Sequence, residues 1–329
     1  MEQPLDVGII GAGPVGLAAA IAAKRAGLVA RVWDQGPLAA SIANYPLNMV
    51  FFTSNELLEI GDHPLVSGGP KATRREALDY YRKVAERERL DVVTHAEVTD
   101  LEPTKGGYLL TAPARDGSRQ VACRNVIVAT GYYHRPRLLG VPGEDLPHVS
   151  HYFREAHPFW QQKVVIVGGG NSAAEAALEL WRAGAHVTMV IRGEKVKDTV
   201  KYWVRPDLDN RIREESIDAQ FSTVVEAITP TSVRFRTGTR EGEIAADAVL
   251  LLTGFMPDTT MVRQAGAALR SDGSVVLDPD SFETTVRGLF VIGSAGYGSR
   301  TGEVFIENGR RHAAAAVAHI ARRLGGDRA

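Results

Sequence analysis

An α/β fold of two similar units, one inserted into the other, is what the sequence predicts, and three observations carry it. A glycine turn between an apolar strand and an alanine-rich helix occurs twice, with Gly168 standing 157 residues after Gly11 (168 − 11). A wholly apolar strand ending in Thr-Gly also occurs twice, at residues 126–131 and 249–254. A last apolar strand and helix, beyond Gly288, are left over once the second unit is complete, so they return to the first.

Residues 5–10 read as a buried strand that runs into Gly11-Ala12-Gly13-Pro14-Val15-Gly16 and then into a helix over 17–26. The second copy is a strand at 164–167, then Gly168-Gly169-Gly170-Asn171-Ser172-Ala173, then a helix over 174–183. The same offset carries Gly13 onto Gly170, Gly16 onto Ala173, and Arg25-Ala26-Gly27 onto Arg182-Ala183-Gly184. In such a turn the first glycine permits the sharp bend and the second lets backbone N–H groups approach a pyrophosphate. The third position must be small for strand and helix to pack. The helix N-terminus then holds the anion. Both copies are therefore read as dinucleotide cradles.

The next strand separates the two cradles. Residues 29–33 end in Asp34, placed to accept hydrogen bonds from both hydroxyls of a ribose, with Gln35 beside it. Residues 187–191 end in Arg192, and the offset carries Asp34 onto Ile191 and Gln35 onto Arg192. Loss of the acid and gain of a cation favour a 2′-phosphate, hence NADP(H), with Lys195 and Lys197 as helpers; a solvated loop explains those two lysines equally well. Two cradles imply two dinucleotides. The chemistry that uses both is hydride transfer from a nicotinamide to a flavin, which passes electrons onward. FAD is assigned to the first cradle and NADPH to the second.

Between these landmarks, residues 35–49 form a loop that ends in the apolar patch Val50-Phe51-Phe52-Thr53. Residues 73–90 have helical spacing of apolar residues, with Thr73 and Glu76 forming a capping box. Short runs at 92–95, 97–101, 107–112, 120–123 and 126–129 read as a β-meander feeding a buried strand. Pro136, Pro142, Gly143 and Pro147 mark a linker, and the strand at 288–292 leads through Gly293-Ser294-Ala295-Gly296 to a helix over 308–323 that finishes at Gly325. The expected architecture is thus two Rossmann-like dinucleotide-binding domains of three-layer ββα type, the NADPH domain inserted into the FAD domain. Residues 1–131 and 257–329 form the FAD-binding domain and 132–256 the NADPH-binding domain.

At 329 residues the chain is long enough for two full cores, and a net charge of −1 with 44% hydrophobic residues gives no nucleic-acid or membrane surface. The first strand begins almost at once, without a basic, cleavable apolar leader, and no run approaches the roughly 20 apolar residues of a transmembrane helix. These features place the chain in the cytoplasm. Its one cysteine, Cys123, excludes an intrachain disulfide and a Cys-rich metal site, and reads as a small hydrophobe on a strand. His148, His151 and His157 lack paired ligand spacing, so no metal is expected.

Several longer runs are more specific than glycine spacing: Asn44-Tyr45-Pro46, Leu57-Leu58-Glu59-Ile60-Gly61, Thr73-Arg74-Arg75-Glu76-Ala77-Leu78, Ala129-Thr130-Gly131-Tyr132-Tyr133, Val149-Ser150-His151-Tyr152-Phe153, Val200-Lys201-Tyr202-Trp203-Val204 and Phe305-Ile306-Glu307-Asn308-Gly309-Arg310. Through them the whole chain resembles the flavoprotein reductases of thioredoxin reductase type, and more closely the bacillithiol disulfide reductase family. The resemblance implies a homodimeric, NADPH-dependent FAD enzyme that reduces the disulfide of a low-molecular-weight thiol. It implies FAD contacts from Gly11, Gly13, Pro14, Val15, Gly16, Asp34, Gln35, Phe52, Thr53, Val98, Ala129, Thr130, Gly131, Gly293, Ser294, Phe305 and Ile306. NADPH contacts are implied from Gly168, Gly170, Asn171, Ser172, Ala173, Arg192, Lys197, Thr253 and Gly254.

Three positions depart from the pattern. Ser150-His151-Tyr152-Phe153 stands where thioredoxin reductases carry Cys-x-x-Cys, which excludes a dithiol relay. Ser294 replaces an Asp that bonds the flavin side chain, and Val15 stands where members of the closer branch often have a cysteine beside the flavin. A valine forms neither thiolate nor mixed disulfide. The catalytic residue is therefore unassigned, with Tyr132 and His151 as candidates and one of His148, His151 and His157 as a proton donor near the flavin. A flavin monooxygenase requires Phe-x-Gly-x-x-x-His before its second turn, and Pro142 and Glu144 break that pattern ahead of His148. A ferredoxin or flavodoxin NADP reductase needs no cysteine, as does a quinone reductase; the former usually ends in an extension with an aromatic, whereas the last aromatic here is Phe305. A small redox protein is thus the alternative acceptor, and a flavin-bound redox sensor the alternative from another class. Arg192 argues for turnover against the sensor.

Overall fold

The computed structural model describes residues 3–114 and 117–326. The chain divides into two compact units, one of Met1–Asn44, Met49–Arg135 and Phe255–Ala329, the other of Tyr45–Asn48 and Pro136–Gly254. The sequence placed its domain boundaries at 131/132 and 256/257; the division falls at 135/136 and 254/255. Tyr45–Asn48 joins the second unit through a hydrogen bond from Leu47 N to Arg154 O at 2.8 Å.

In chain order the first unit contributes β1 (Leu5–Ile10), α1 (Pro14–Arg25), β2 (Ala30–Trp33), α2 (Ala40–Ala43), α3 (Asn55–Leu58), α4 (Arg74–Arg87), β3 (Val92–Val93), β4 (Asp100–Thr104), β5 (Gly107–Ala114) and β6 (Gly117–Val128). The inserted unit follows with β7 (Val149–Ser150), β8 (Lys163–Val167), α5 (Asn171–Arg182), β9 (His186–Val190), α6 (Arg205–Arg213), β10 (Asp218–Gln220), β11 (Thr223–Thr229), β12 (Ser232–Thr237), β13 (Arg240–Ala245) and β14 (Ala248–Leu251). The chain then adds α7 (Thr260–Gln264), β15 (Leu289–Val291) and α8 (Ile306–Gly326) to the first unit.

In the first unit β1 lies parallel between β2 and β6, and β15 pairs parallel with β6, as the leftover strand required. Alternation along β1 sends Val7 and Ile9 to one face, against Ala19, Ala20 and Ala23 of α1 and Ala313, Ala316 and Ile320 of α8. The opposite face packs Ile10, Val126 and Val128 against Leu101, Tyr108 and Leu110 of the meander. In the second unit the parallel sheet β10-β9-β8-β14-β7 covers α5 with Val164 and Ile166, and its other face buries Val165, Val167 and Val249 against Ile228 and Val233 of the antiparallel β11-β12-β13. Each unit is thus helix, parallel sheet and β-layer.

The structure revises some element boundaries. The runs at 120–123 and 126–129, read as separate strands, are one strand, β6, whose first part pairs antiparallel with β5 and whose last part pairs parallel with β1. Asn125, between the two runs, is satisfied inside: its Nδ2 donates to Asp6 O at 3.1 Å and its Oδ1 accepts from Arg323. The run at 97–101 yields β4 three residues later, and Pro103 is tolerated because β4 is the sheet edge. The helix expected at 17–26 starts at Pro14, whose fixed φ suits the first helical position. At α4 both arms of the expected capping box form, Glu76 N to Thr73 Oγ1 at 3.2 Å and Thr73 N to Glu76 Oε2 at 2.8 Å. No helix among the described residues is long and apolar enough to cross a membrane.

Candidate functional site

The glycines of the first turn do two different jobs. A Cβ on Gly11, at φ +110°, would lie 2.5 Å from Ala129 O, and one on Gly16 would lie 1.9 Å from Gly11 O. Those two glycines close the protein on itself. A Cβ on Gly13 would meet nothing within 4 Å, so this position keeps a surface open. Asp34 braces the turn: its Oδ2 accepts from Ala12 N at 2.7 Å and its Oδ1 from Gly36 N at 2.8 Å. Burial raises its carboxyl above the usual range while those two N–H groups oppose the rise. Each oxygen retains a lone pair for a ribose hydroxyl.

Beside this turn lies a cleft of about 330 Å³, within the size range of small-molecule sites. It brings together Gly11, Asp34, Gln35, Val98 and Thr130, five of the residues the sequence nominated. It also holds Glu97, His134, Asp258, Thr260 and Gln264, which sequence reading missed. Asp258 accepts from Thr260 N at 2.9 Å at the start of α7, an Asx-type helix start that was readable. His134 carried no such signal. Thr130 Oγ1 is buried without a partner, an orphan of the kind a bound cofactor satisfies. An open Gly13, a sized cleft, a braced acid and this orphan hydroxyl fit an FAD.

Farther along the same unit, Gly131 faces Ser294, with 3.8 Å between a Cβ on the first and Oγ of the second. Val15 fills the space between Gly293 and Gly309, where added Cβ atoms would lie 3.3 Å and 3.1 Å from its methyls. Phe52 is exposed just ahead of α3, and Arg310 of α8 ties α3 down by donating to Glu56 O at 2.9 Å and to Glu59 O. Phe305 N donates to Asn308 Oδ1 at 2.8 Å, which fixes Phe305 and Ile306 at the head of α8. Tyr132 packs toward Phe255 with centroids 6.4 Å apart, and burial raises its phenol.

Buried His312 accepts from Gly293 N at 3.3 Å through Nδ1 and stacks on Phe282 at 3.9 Å. Burial lowers its pKa, so the folded protein favours the neutral ring. The stability this gives is complete above the unfolded value of about 6.5 and is lost as pH falls through the folded value. Urea unfolding is expected to show a stability drop on acidification through that window, reduced in His312→Asn, whose Oδ1 stands near Nδ1. An identical pH slope in the variant would dismiss the role.

The second turn repeats the division of labour. A Cβ on Gly168, at φ +141°, would lie 2.4 Å from Leu252 O, whereas one on Gly170 would meet nothing within 4 Å. At the third position Ala173 stays 3.5 Å from that Gly168 site, so a methyl is accommodated here as it is not at Gly16. Arg192, exposed at the end of β9, makes no ion pair among the described residues. Lys195 is paired to Asp198 at 2.8 Å, while Lys197 N donates to Gly169 O at 3.0 Å. Thr253 Oγ1 donates to Arg137 O at 2.7 Å, and Gly254, at φ +98°, faces open space. Ser172 is exposed beside the turn. An open Gly170 and an unpaired guanidinium fit NADPH.

Elsewhere in this unit His151 Nε2 stands 3.6 Å from Glu144 Oε1, and its Nδ1 is buried without a partner. Glu175, on α5, was not anticipated: burial lifts its carboxyl to about 7, Glu179 adds to the rise and Lys201 opposes it. No cluster of three metal-ligating side chains occurs among the described residues.

Residues 8–293 match the pyridine nucleotide-disulphide oxidoreductase family. The chain belongs to it. It is 39% identical to bacilliredoxin reductase Bdr of Bacillus subtilis, over 96% of this chain and 97% of that protein. The solved bacillithiol disulfide reductase Bdr of Bacillus cereus superposes with a TM-score of 0.95 at 36% identity, covering 98% of this chain and all of that one. A ferredoxin–NADP reductase of Granulibacter bethesdensis is 30% identical over 88% of this chain and 81% of its own length. The chain is thus an oxidoreductase with FAD and NADPH as its cofactors.

The single thiol of this oxidoreductase is buried in the first unit, and burial pushes it up to about 12. A Cβ on Gly8 would lie 2.8 Å from its sulfur, which leaves a reagent no approach from that side. A disulfide reagent is expected to titrate no thiol in the folded protein and one after denaturation, and iodoacetamide to leave turnover unchanged. Rapid labelling of native protein with loss of turnover would return Cys123 to the mechanism.

Proposed function

We propose that the chain reduces the disulfide of a low-molecular-weight thiol, bacillithiol disulfide first among them, with FAD at the Gly11–Gly16 turn and NADPH at the Gly168–Ala173 turn. The duplicated cradle supports this most: each copy keeps one glycine open to a ligand while its first glycine is closed by backbone. The Bacillus cereus relative, a bacillithiol disulfide reductase, supports this substrate class. When bound, NADPH and FAD supply hydride donor and electron carrier.

The chain's own residues do the holding. Asp34 takes the ribose hydroxyls of FAD and keeps Ala12 N–H aligned with the turn. Arg192 takes the 2′-phosphate of NADPH, for which its planar fork is suited. Val15 presents methyl groups where a thiol would form a mixed disulfide, and Cys123 is sealed, so the disulfide is reduced without an enzyme thiol. Tyr132 and His151 are the proposed donors of the protons that the product thiols need. The assembly is proposed to be a homodimer of the cytoplasm.

The absence of an accessible thiol favours one second reading, transfer to ferredoxin, in line with the Granulibacter relative, or to flavodoxin or a quinone. Anaerobic reoxidation of the NADPH-reduced protein separates the two. Rapid reoxidation by bacillithiol disulfide is expected. Reoxidation by an electron-transfer protein or a quinone alone would transfer the assignment to that acceptor.

A further inference from the structure

We propose that Lys201, Tyr202 and Trp203 form a flap that lies against bound NADP(H), and that Asn171 is the positioning residue that fastens it. This rests on the reading of the second turn as the NADPH site.

Asn171 is the first residue of α5, directly after the open Gly170. Its Nδ2 donates to Thr199 O at 3.1 Å and its Oδ1 accepts from Lys201 N at 2.9 Å. With Lys197 N on Gly169 O at 3.0 Å, three hydrogen bonds tie residues 197–201 to the turn itself. These bonds use a side chain and one turn carbonyl, so the N–H groups at the head of α5 stay available for an anion. The first residue of the flap, Lys201, is therefore fixed to the cradle through its own N–H.

What it presents suits a dinucleotide. Tyr202 is 81% exposed and Trp203 47%, their rings packed edge to face with centroids 4.8 Å apart. Lys201 Nζ lies 5.8 Å from the centre of the Trp203 ring, and its charge reaches Glu175 on α5. Two adjoining exposed aromatics with a cation offer faces on which a base or nicotinamide stacks and a charge that meets phosphate. A buried-core role does not account for rings this open, while a scattered surface residue would be single.

Tryptophan emission and calorimetry during NADP⁺ titration of the FAD-loaded protein test this. The chain has four tryptophans, so Trp33, Trp160 and Trp181 remain as internal controls in Trp203→Phe. The expected result is a quench by NADP⁺ that Trp203→Phe loses while still binding. Asn171→Ala is expected to bind NADP⁺ about tenfold more weakly, the scale of one or two lost hydrogen bonds, and Asn171→Asp, which keeps the acceptor for Lys201 N, to recover part of it. Repeating the titration with 2′,5′-ADP tells which half is covered: a quench by this fragment places the flap on the adenosine end, and a quench by NADP⁺ alone places it on the nicotinamide end. Wild-type binding with the quench intact in Trp203→Phe and affinity intact in Asn171→Ala overturns the flap and leaves the NADPH site standing. Failure of the wild type to bind NADP⁺ overturns both.

Discussion

Gly16→Ala is expected to abolish folding of the first unit, whereas Gly13→Ala is expected to leave it folded but unable to retain FAD. The added methyl at position 16 would sit 1.9 Å from Gly11 O, a backbone atom that cannot swing aside, so α1 would have to leave β1. Overpacking against backbone belongs with the most destabilising substitutions, at about 4 kcal/mol or more. At position 13 the methyl meets no protein atom within 4 Å and can only occupy ligand space. Circular dichroism melts and bound-flavin absorbance read the two outcomes separately. The second turn provides the replicate: Gly170→Ala is expected to remain folded and yellow yet fail to bind NADPH, because Gly170 is open as Gly13 is. A Gly13→Ala protein that keeps FAD at wild-type affinity would remove the first turn from the cofactor site.

The same contrast shows what the sequence could and could not reveal. The offset between the turns carried the strand, turn and helix of each unit, because glycine placement answers to local backbone sterics that a one-dimensional pattern records. It also exposed Ala173 opposite Gly16, but not that α1 approaches its strand more closely than α5 does, which depends on the packing of whole layers. β6 was read as two pieces with the polar Arg124-Asn125 between them; the partners that satisfy Asn125, Asp6 and Arg323, lie 119 and 198 residues away. In the cleft, Asp34 and Thr130 were legible from strand ends and Asp258 from its Asx-type turn, whereas His134 and Gln264 lie on an irregular segment and on a short helix with no periodicity to announce it. Asn171 was legible as a residue of the second cradle, yet both ends of its amide bind a loop some 30 residues on.

Arg192→Ala is expected to lower kcat/KM for NADPH by about 10- to 150-fold while leaving NADH nearly unaffected, matching about 1.5–3 kcal/mol for a lost charged hydrogen bond. The structure ranks the cations at this edge by what already holds them. Lys195 is paired with Asp198 at 2.8 Å, both side chains well exposed, and Arg205 is held by Asp209 at 2.8 Å. Arg192 has no such partner among the described residues, so its charge is uncommitted when a 2′-phosphate arrives. Lys195→Ala is accordingly expected to change the NADPH to NADH ratio little, since an exposed pair of this kind contributes about 1 kcal/mol at most. Because the Arg192 contact is exposed to solvent, the NADPH preference should also narrow as ionic strength rises and the charge is screened. Steady-state kinetics with both nucleotides at low and high salt separate these effects. A ratio unchanged in Arg192→Ala but collapsed in Lys197→Ala would move phosphate recognition from the end of β9 onto the loop that rests on Gly169.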